Sequence, residues 1–368
     1  MNITQISYHY RPIVGGQEVY IRNLQQLFES AGYRSRVIQP MKHLRANDTL
    51  MAPRLPGIDR LIPGSDEWIF LWSTYLTKQL ALKHSDVVVA HYAVNALLHR
   101  KYARKTIVLS HGVEWHEENM QWYDRLHKRA AQESFGRNPL VVNDTHYLRT
   151  LGADMKPGEK MFCEVMPQTW FIPNCVDTSY FIRVKAEVQD PRKITILVPR
   201  QITPDRGIDL AIRAFERILR QRDGAVLRVV GRAHPPGYLD ECRRLAQSLG
   251  VFDHVIFESH VRHEDMPALY SSATVTLIPT LRREGTSLSA LESMSCGTAT
   301  VSTNVAGLAD LPTVQARAEP DDLAGAVLAA IRDHVAIGAQ QQKTVQQTFN
   351  IENWGRSWLE VIRAAAAN

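Results

Sequence analysis

Short runs of β-forming residues alternate with amphipathic stretches along nearly the whole chain, and this alternation limits the fold more than any other feature. Such a pattern is typical of parallel α/β sheets, whose strands are apolar because helices cover both faces. In the first half we predict the strands Ile3–Tyr8, Ser35–Gln39, Asp86–Ala90, Thr106–Ser110 and Leu140–Asn143. In the second half we predict the strands Ile194–Val198, Val226–Val230, Val255–Glu258, Thr274–Ile278 and Ala299–Ser302.

Helical periodicity fits the same scheme. Apolar residues recur at i, i+3, i+4 and i+7 in two places, which predicts amphipathic helices around Leu24–Ala31 and Ala211–Ile218. A further helix is predicted over Ile351–Ala367, with its tryptophans on one stripe.

The length of 368 residues suits two domains better than one core. We expect a first domain over residues 1–178 and a second over 179–350, with the helix at 351–368 packing back on the first. The segment Val176–Arg192, which is turn-like and charged, is the predicted connection.

Composition narrows the class of protein. A hydrophobic fraction of 45% and a charged fraction of 22% are typical of a soluble globular protein. The first residues lack the basic and then apolar plan of a signal peptide. The four cysteines show no spacing of a metal site, so we expect a reducing cytoplasm and no cysteine-bound metal.

The most informative stretch runs from Arg283 to Gly297 and is predicted to be a loop that enters a helix. Thr286 or Ser287 suits the N-cap. The amides of Gly285, Thr286, Ser287 and Leu288 would then offer hydrogen bonds to phosphate or sugar hydroxyls. Glu284 and Glu292 could accept hydrogen bonds from two ends of one elongated polar ligand. Two solvated glutamates on a surface helix are the alternative.

Arg200 and Arg206 occupy the first loop after the strand that opens the second half, where α/β sheets bind ligands. Two guanidinium groups there can neutralise a diphosphate; two surface arginines are the alternative. The chain contains no Asp-x-Asp pair to hold a divalent metal on a diphosphate. We therefore expect cationic side chains to replace magnesium, with no metal and no cofactor.

Several motifs together carry a family resemblance. They are the two glutamates separated by seven residues before a small-residue-Gly turn, the loop Pro199–Gly207, the strand end Phe257–Val261, Gly15-Gly16 and Ile172–Asp177. The sequence resembles retaining glycosyltransferase family 4, whose GT-B fold has two Rossmann-like α/β domains that face each other across a cleft. The resemblance covers the whole chain, with specific motifs mainly between residues 172 and 310. Pro199, Arg206 and Thr286 depart from the usual Gly, Lys and Phe of the family.

The resemblance implies metal-independent transfer of a hexose, with retention, from a nucleotide diphosphate sugar such as a UDP-sugar. Glu292 would hold the ribose, and Val261 would lie near the base. Arg200 and Arg206, with the amides of residues 285–288, would bind the diphosphate. Glu284, His111 and Gly16 would hold the donor sugar.

The first domain would receive the acceptor, with His116 and Arg149 as candidate contacts. Residues 1–178 contain 21 Lys and Arg against 17 Asp and Glu, and aromatic residues cluster at Trp68–Tyr75, Trp115, Trp122 and Tyr123. These features allow a lipid-linked or glycan acceptor, with peripheral contact at the inner face of a membrane. They equally allow a small-molecule acceptor, and a solvated basic face explains the charge as well. No nucleic-acid partner is expected.

Three other classes compete with this hypothesis. An epimerase of the same fold would act on the nucleotide sugar without an acceptor. A non-catalytic nucleotide-sugar-binding subunit would keep the fold but lose Glu284, Glu292 or Arg200, and the chain has all three. A nicotinamide dehydrogenase would need a GxGxxG loop followed by an acidic residue, which neither half supplies.

Overall fold

The computed structural model describes residues 1–13, 15–40, 47–52, 75–118, 120–184, 194–235 and 237–367. Residues 68–74 of the aromatic cluster and 185–192 of the predicted connection lie outside these ranges. The described chain divides into two compact units. Unit 1 comprises residues 1–156, 160–173 and 354–368, and unit 2 comprises residues 157–159 and 174–353. The assignment of acceptor binding to one half and donor binding to the other stays a prediction.

Unit 1 is built on an eight-stranded sheet in the order β3-β2-β1-β4-β5-β6-β8-β7. Its strands are β1 (Asn2–Ile6), β2 (Arg34–Pro40), β3 (Thr49–Ala52), β4 (Val87–His91), β5 (Thr106–Ser110), β6 (Leu140–Val142), β7 (Cys163–Met166) and β8 (Thr169–Phe171). Neighbours pair in parallel except β7 with β8. The helices between them are α1 (Gly16–Ser30), α2 (Tyr75–Lys83), α3 (Trp122–Ser134) and α4 (Thr145–Thr150), with a 3-10 segment at Ala93–Lys105.

Unit 2 is built on a six-stranded parallel sheet in the order β11-β10-β9-β12-β13-β14. Its strands are β9 (Thr195–Pro199), β10 (Val226–Val230), β11 (Val255–Glu258), β12 (Val275–Ile278), β13 (Ala299–Thr303) and β14 (Val314–Ala316). The helices are α5 (Ile208–Leu219), α6 (Tyr238–Ser248), α7 (Met266–Ser271), α8 (Leu288–Ser295), α9 (Pro320–Arg332) and α10 (His334–Thr348). Short 3-10 turns lie at Pro204–Arg206, Phe252–His254, His263–Asp265 and Ala306–Asp310.

The order of the strands in each unit is that of a Rossmann-like sheet, in which the chain starts near the centre and moves outward in both directions. The central strands are completely buried, as their continuous apolar runs predict. Because parallel strands end at one edge of a sheet, the loops that follow them gather the polar residues of each unit at that edge.

The last helix, α11 (Ile351–Ala366), packs into unit 1. Trp354 and Trp358 are almost fully buried, and the indole Nε1 of Trp358 donates to the Tyr20 hydroxyl at 2.7 Å. A Cβ atom on Gly355 would lie 3.0 Å from a methyl group of Leu27. The helix is therefore fitted closely against α1.

No helix in these described ranges has both the length and the apolar character that are needed to cross a bilayer.

Candidate functional site

Arg200 follows the last residue of β9 and is 8% exposed. Its guanidinium Nη2 donates to a carboxylate oxygen of Glu284 at 2.5 Å and to the Thr280 hydroxyl at 3.4 Å. Its Nη1 donates to the Ser287 hydroxyl at 3.1 Å. Burial lowers the pKa of Arg200 to about 10, so the group stays protonated at neutral pH. A buried cation is thus held at the carboxyl edge of the sheet.

Arg206 ends the 3-10 turn before α5, and its Nη1 contacts the same carboxylate oxygen of Glu284. Burial, followed by the charge of Arg200, lowers the pKa of Arg206 to about 9. The charge of Asp205 raises the pKa of Arg206, whereas the charge of Arg283 lowers it. Two guanidinium groups therefore share one carboxylate, and the cluster keeps a positive excess that suits an anionic ligand.

Two glycines allow the backbone to approach closely at this edge. Gly207 has a positive φ of 67°, and a Cβ atom there would lie 1.9 Å from the carbonyl oxygen of Pro279. A Cβ atom on Gly231, directly after β10, would lie 2.0 Å from the carbonyl oxygen of Arg200. Our sequence reasoning did not single out Gly231, although a glycine directly after a predicted strand is a usable signal.

Ser287 is the N-cap residue of α8, but its side chain makes no capping hydrogen bond. Its hydroxyl accepts from Arg200 instead. The Thr286 hydroxyl oxygen accepts from the Asn174 amide at 2.7 Å, and the Asn174 side chain donates to the carbonyl oxygen of Thr286. The predicted N-cap position is therefore confirmed for Ser287, although its hydroxyl bonds Arg200 and not an amide of the helix.

The start of α8 keeps amide groups available. In the described part of the chain, the amides of Gly285, Ser287 and Leu288 donate to no protein group. The carbonyl oxygen of Glu284 accepts from the amide of Gly307 at 2.9 Å, which anchors the loop. The amide donors of this loop thus lie beside the guanidinium group of Arg200, which bonds the Ser287 hydroxyl.

Glu292 lies on α8 and is half-buried. One of its carboxylate oxygens accepts from the Tyr270 hydroxyl at 2.7 Å. Tyr270 is completely buried, and burial together with the charge of Glu292 raises its pKa well above its ordinary value. The phenol therefore acts as a fixed donor that orients Glu292. Sequence reasoning missed Tyr270, which has no motif of its own.

Val261 lies beyond the carboxyl end of β11, at the same edge as Arg200, and is half-buried. Within the described ranges, no hydrogen bond joins it to the arginine cluster. The structure therefore brings Arg200, Arg206, Glu284 and Ser287 into direct contact, and leaves Val261 near the edge without such a link.

In unit 1, His111 follows β5 directly and is half-buried. Burial lowers its pKa to about 3, so its imidazole is neutral at physiological pH. Its Nε2 lies 2.9 Å from Nδ1 of His91, a residue that sequence reasoning missed. Gly16 is the exposed first residue of α1, after the extended N-cap Gly15. No hydrogen bond in the described part of the chain joins Gly16 to His111.

The two candidate acceptor residues have different surroundings. The backbone amide of His116 donates to Asp124 at 2.9 Å, and its ring Nδ1 lies 3.2 Å from the same carboxylate oxygen. Arg149 lies in the last turn of α4, is half-buried, and forms no ion pair with another described residue. His116 is thus held by Asp124 of α3, whereas the Arg149 guanidinium has no ion-pair partner among the described residues.

Across the described ranges, no three His, Cys, Asp or Glu side chains are grouped to hold a metal ion. Metal-independence stays a prediction.

Two family models match the chain. The model for glycosyl transferases group 1 matches residues 181–332, and the model for glycosyltransferase family 4 matches residues 14–161.

Curated relatives match mainly over segments. An uncharacterized glycosyltransferase of Methanocaldococcus jannaschii is 30% identical over 187 residues, 48% of this chain and 46% of that protein. A GDP-mannose-dependent alpha-(1-6)-phosphatidylinositol monomannoside mannosyltransferase of Mycobacterium tuberculosis is 30% identical over 150 residues, 37% of this chain and 38% of that protein. The chain thus spans less than half the length of these two relatives.

Solved structures match over the full length. Sucrose-phosphate synthase from Thermosynechococcus elongatus has a TM-score of 0.79 at 19% identity, covering 100% of this chain and 99% of that one. The Anabaena HepE protein in complex with UDP and glucose has a TM-score of 0.76 at 14% identity, covering 99% and 100%. The predicted GT-B fold class is confirmed.

Proposed function

The chain belongs to the glycosyltransferases of family 4 and group 1, and we propose that it transfers a hexose, with retention and without a metal ion, from a nucleotide diphosphate sugar. The observation that carries this proposal is the sharing of the Glu284 carboxylate by two guanidinium groups at the carboxyl edge of the unit 2 sheet. A UDP-hexose is the first donor to test. GDP-mannose is the second, because one relative is named for its dependence on it.

The proposed diphosphate takes the place of the Glu284 carboxylate. Arg200 and Arg206 then contact phosphate oxygens instead, and the amides of Gly285, Ser287 and Leu288 complete the binding of the anion. As the bond between the anomeric carbon and the diphosphate oxygen breaks, negative charge grows on that oxygen. Buried, already oriented cations stabilise such charge more than water does, because they need no reorganisation.

Displacement gives Glu284 a second role. Once the arginines bind the diphosphate, its carboxylate is free to accept hydrogen bonds from hydroxyls of the donor hexose. Glu292, oriented by Tyr270, accepts from the ribose hydroxyls. Val261 lies near the base, and His111 and Gly16 of unit 1 contact the donor sugar. The acceptor hydroxyl attacks the anomeric carbon from the leaving-group face, and its proton passes to a phosphate oxygen of the departing nucleotide.

The acceptor in this proposal is a glycan, a lipid-linked sugar or a small molecule, as in polysaccharide or glycoconjugate biosynthesis. Arg149 and His116 are its candidate contacts in unit 1. Trp122 and Tyr123 are 52% and 40% exposed at the start of α3, where they would suit a lipid-linked acceptor at a membrane surface.

The test is donor binding and slow donor hydrolysis by the purified chain. We expect one nucleotide sugar among UDP-glucose, UDP-galactose and GDP-mannose to raise the melting temperature and to release nucleotide slowly without an acceptor. The variant Arg200→Ala should lose both effects. Arg243→Ala is the matched control, because Arg243 is 46% exposed and, among the residues that the structure describes, pairs only with Asp240, which is itself 61% exposed.

Three outcomes would contradict the proposal. The first is an absence of stabilisation by any nucleotide sugar. The second is formation of an epimeric nucleotide sugar without an acceptor, which would identify an epimerase. The third is binding without hydrolysis or transfer to any acceptor, which would identify a non-catalytic subunit.

A further inference from the structure

Three polar side chains are almost completely buried in the interior of unit 1. Gln5 on β1 and His91 at the end of β4 are 0% exposed, and Gln25 on α1 is 3% exposed. Burying amides and imidazoles costs free energy unless each polar atom is paired. Their positions therefore need an explanation other than packing.

These side chains form one chain of hydrogen bonds that begins at a backbone carbonyl and ends at His111. The carbonyl oxygen of Ser35 accepts from Nε2 of Gln25 at 3.4 Å, and the Ser35 hydroxyl donates to Oε1 of Gln25. That same Oε1 accepts from Nε2 of Gln5 at 2.7 Å. Oε1 of Gln5 lies 2.9 Å from Nε2 of His91, and Nδ1 of His91 lies 2.9 Å from Nε2 of His111.

The donor and the acceptor of each hydrogen bond follow from the Ser35 carbonyl at the start of the chain. A carbonyl oxygen can only accept, so the Ser35 carbonyl fixes which end of the Gln25 amide faces it. Gln25 then presents oxygen to Gln5, and Gln5 presents oxygen to His91. His91 must donate from Nε2 to that oxygen.

The two histidines continue the same direction. Burial, and then the neighbouring His111, hold the pKa of His91 well below its ordinary value, so the ring is neutral and its Nδ1 can only accept. His111 must therefore donate from Nε2. The ring planes differ by only 9°, as an in-line N–H···N bond allows. Since His111 is also neutral, its Nδ1 carries a lone pair and no proton.

This Nδ1 atom is the open end of the chain. His111 is half-buried, and its Nδ1 makes no hydrogen bond to another residue of the described ranges. The rings of Tyr20 and Tyr92 pack edge-on against the imidazole, with centroids 5.3 Å from it, and limit its rotation. The ring is held in one orientation as well as in one tautomer.

We propose that the Ser35–Gln25–Gln5–His91 chain fixes His111 as a hydrogen-bond acceptor, so that the donor sugar must present a hydroxyl group to its Nδ1. The inference rests on the proposed function, since it takes the donor hexose as the ligand of His111. His91, Gln5 and Gln25 are positioning residues that act only through His111. A hydroxyl at one position of the hexose is then required as a donor of a hydrogen bond, and a group that only accepts cannot replace it.

The tautomer is tested first, in the full chain without any ligand, by ¹⁵N NMR of protein labelled in its histidine rings. The variant His111→Asn assigns the signals of His111 by their loss. We expect a protonated Nε2 and an unprotonated Nδ1 at neutral pH. In His91→Phe, or in His91→Asn if the first variant does not fold, we expect a mixture of both tautomers. A wild-type His111 with a proton on Nδ1, or with both nitrogens protonated, would overturn the proposal.

The hydroxyl requirement is tested with deoxy and deoxyfluoro forms of the active nucleotide sugar, one ring position at a time. Fluorine can accept a weak hydrogen bond but cannot donate one. At one position we expect both analogues to lower kcat/KM by a similar factor, roughly 10-fold or more. In the His91 variant, kcat/KM of the natural donor should fall about 10-fold. The kcat/KM of the fluoro analogue should then exceed that of the deoxy analogue. His334→Asn, a histidine of unit 2 whose ring contacts a backbone carbonyl, is the control and should change neither.

The two proposals fail in different ways. If the NMR signals show the expected tautomer but no nucleotide sugar is bound, the proposed function fails and the assignment of the hydrogen-bond chain stands. If the enzyme transfers a sugar but a fluoro analogue replaces the hydroxyl at every position, the role of His111 as an acceptor fails while the proposed function stands.

Discussion

Replacing Arg200 by Ala separates the proposed catalytic role of this residue from its structural role. In the free protein the side chain bonds the Glu284 carboxylate and the hydroxyls of Ser287 and Thr280. Arg206 contacts the same carboxylate, so Glu284 keeps a cationic partner in the variant. The structural loss is then limited to a few hydrogen bonds, about 1–3 kcal/mol in the free energy of unfolding. It is offset in part because the repulsion between the two arginines disappears.

The effect on the reaction should be larger and of a different kind. Loss of one preorganised donor to a developing negative charge costs about 2–4 kcal/mol of transition-state stabilisation. That corresponds to a fall of roughly 30- to 900-fold in kcat. If Arg200 acts mainly on the departing diphosphate, kcat and kcat/KM should fall by similar factors.

The assay is steady-state transfer with the donor identified by binding, combined with thermal unfolding of each variant. Arg200→Lys keeps the charge but not the planar fork that reaches Ser287 and Glu284 together, so it should fall between the wild type and Arg200→Ala. Arg243→Ala controls for loss of a surface arginine. A folded Arg200→Ala protein with the kcat of the wild type would refute the reasoning.

Three further predictions concern other parts of the two units. Glu292→Gln should raise KM for the donor about 10-fold with little change in kcat, since a ribose contact is uniform binding; an unchanged KM would remove Glu292 from the site. Gly231→Ala should lower the free energy of unfolding by about 1–3 kcal/mol because its Cβ would overlap the Arg200 carbonyl oxygen, whereas Gly325→Ala, with open space in α9, should not destabilise. Below about pH 6.5 the unfolded chain protonates His91 and the folded chain does not. Urea titrations should therefore show that the free energy of unfolding decreases as the pH is lowered below 6.5, by about 1.4 kcal/mol per pH unit from this residue. His91→Phe should lose that part of the slope, and an unchanged slope would contradict the low pKa.

Much of the fold could be predicted because buried parallel strands are continuous apolar runs. Each predicted strand is present, with ends that differ by at most two residues. The strands that were missed are short. Val314–Ala316 and Thr49–Ala52 have three and four residues, and each lies at a sheet edge. Cys163–Met166 and Thr169–Phe171 form a short antiparallel hairpin. In these segments pairing with a neighbouring strand decides the structure, and the local pattern is too weak to indicate it.

The sequence singled out four residues that the structure brings together, Arg200, Arg206, Glu284 and Ser287, but not the contacts between them. The sequence assigned Glu284 to the sugar and the arginines to the diphosphate, as separate roles. In the structure the carboxylate lies against both arginines, across a separation of 84 residues in the chain from Arg200. Sequence spacing cannot reveal such an ion pair. Gln5 carried a usable signal, because a glutamine inside an apolar strand predicts a buried polar contact, yet its partners Gln25 and His91 come from two other elements.

The close fit of α11 against α1 affects the order in which the two units can complete their folding during synthesis on the ribosome. Unit 2 is complete once residue 353 has been made, while unit 1, although it begins at the first residue, still lacks the two tryptophans of α11. The Tyr20 hydroxyl and the surface around Leu27 stay exposed to water until those tryptophans emerge. The half of the molecule that starts first is therefore the half that finishes last. A nascent chain halted before Trp354 would carry a finished second unit joined to an unfinished first one.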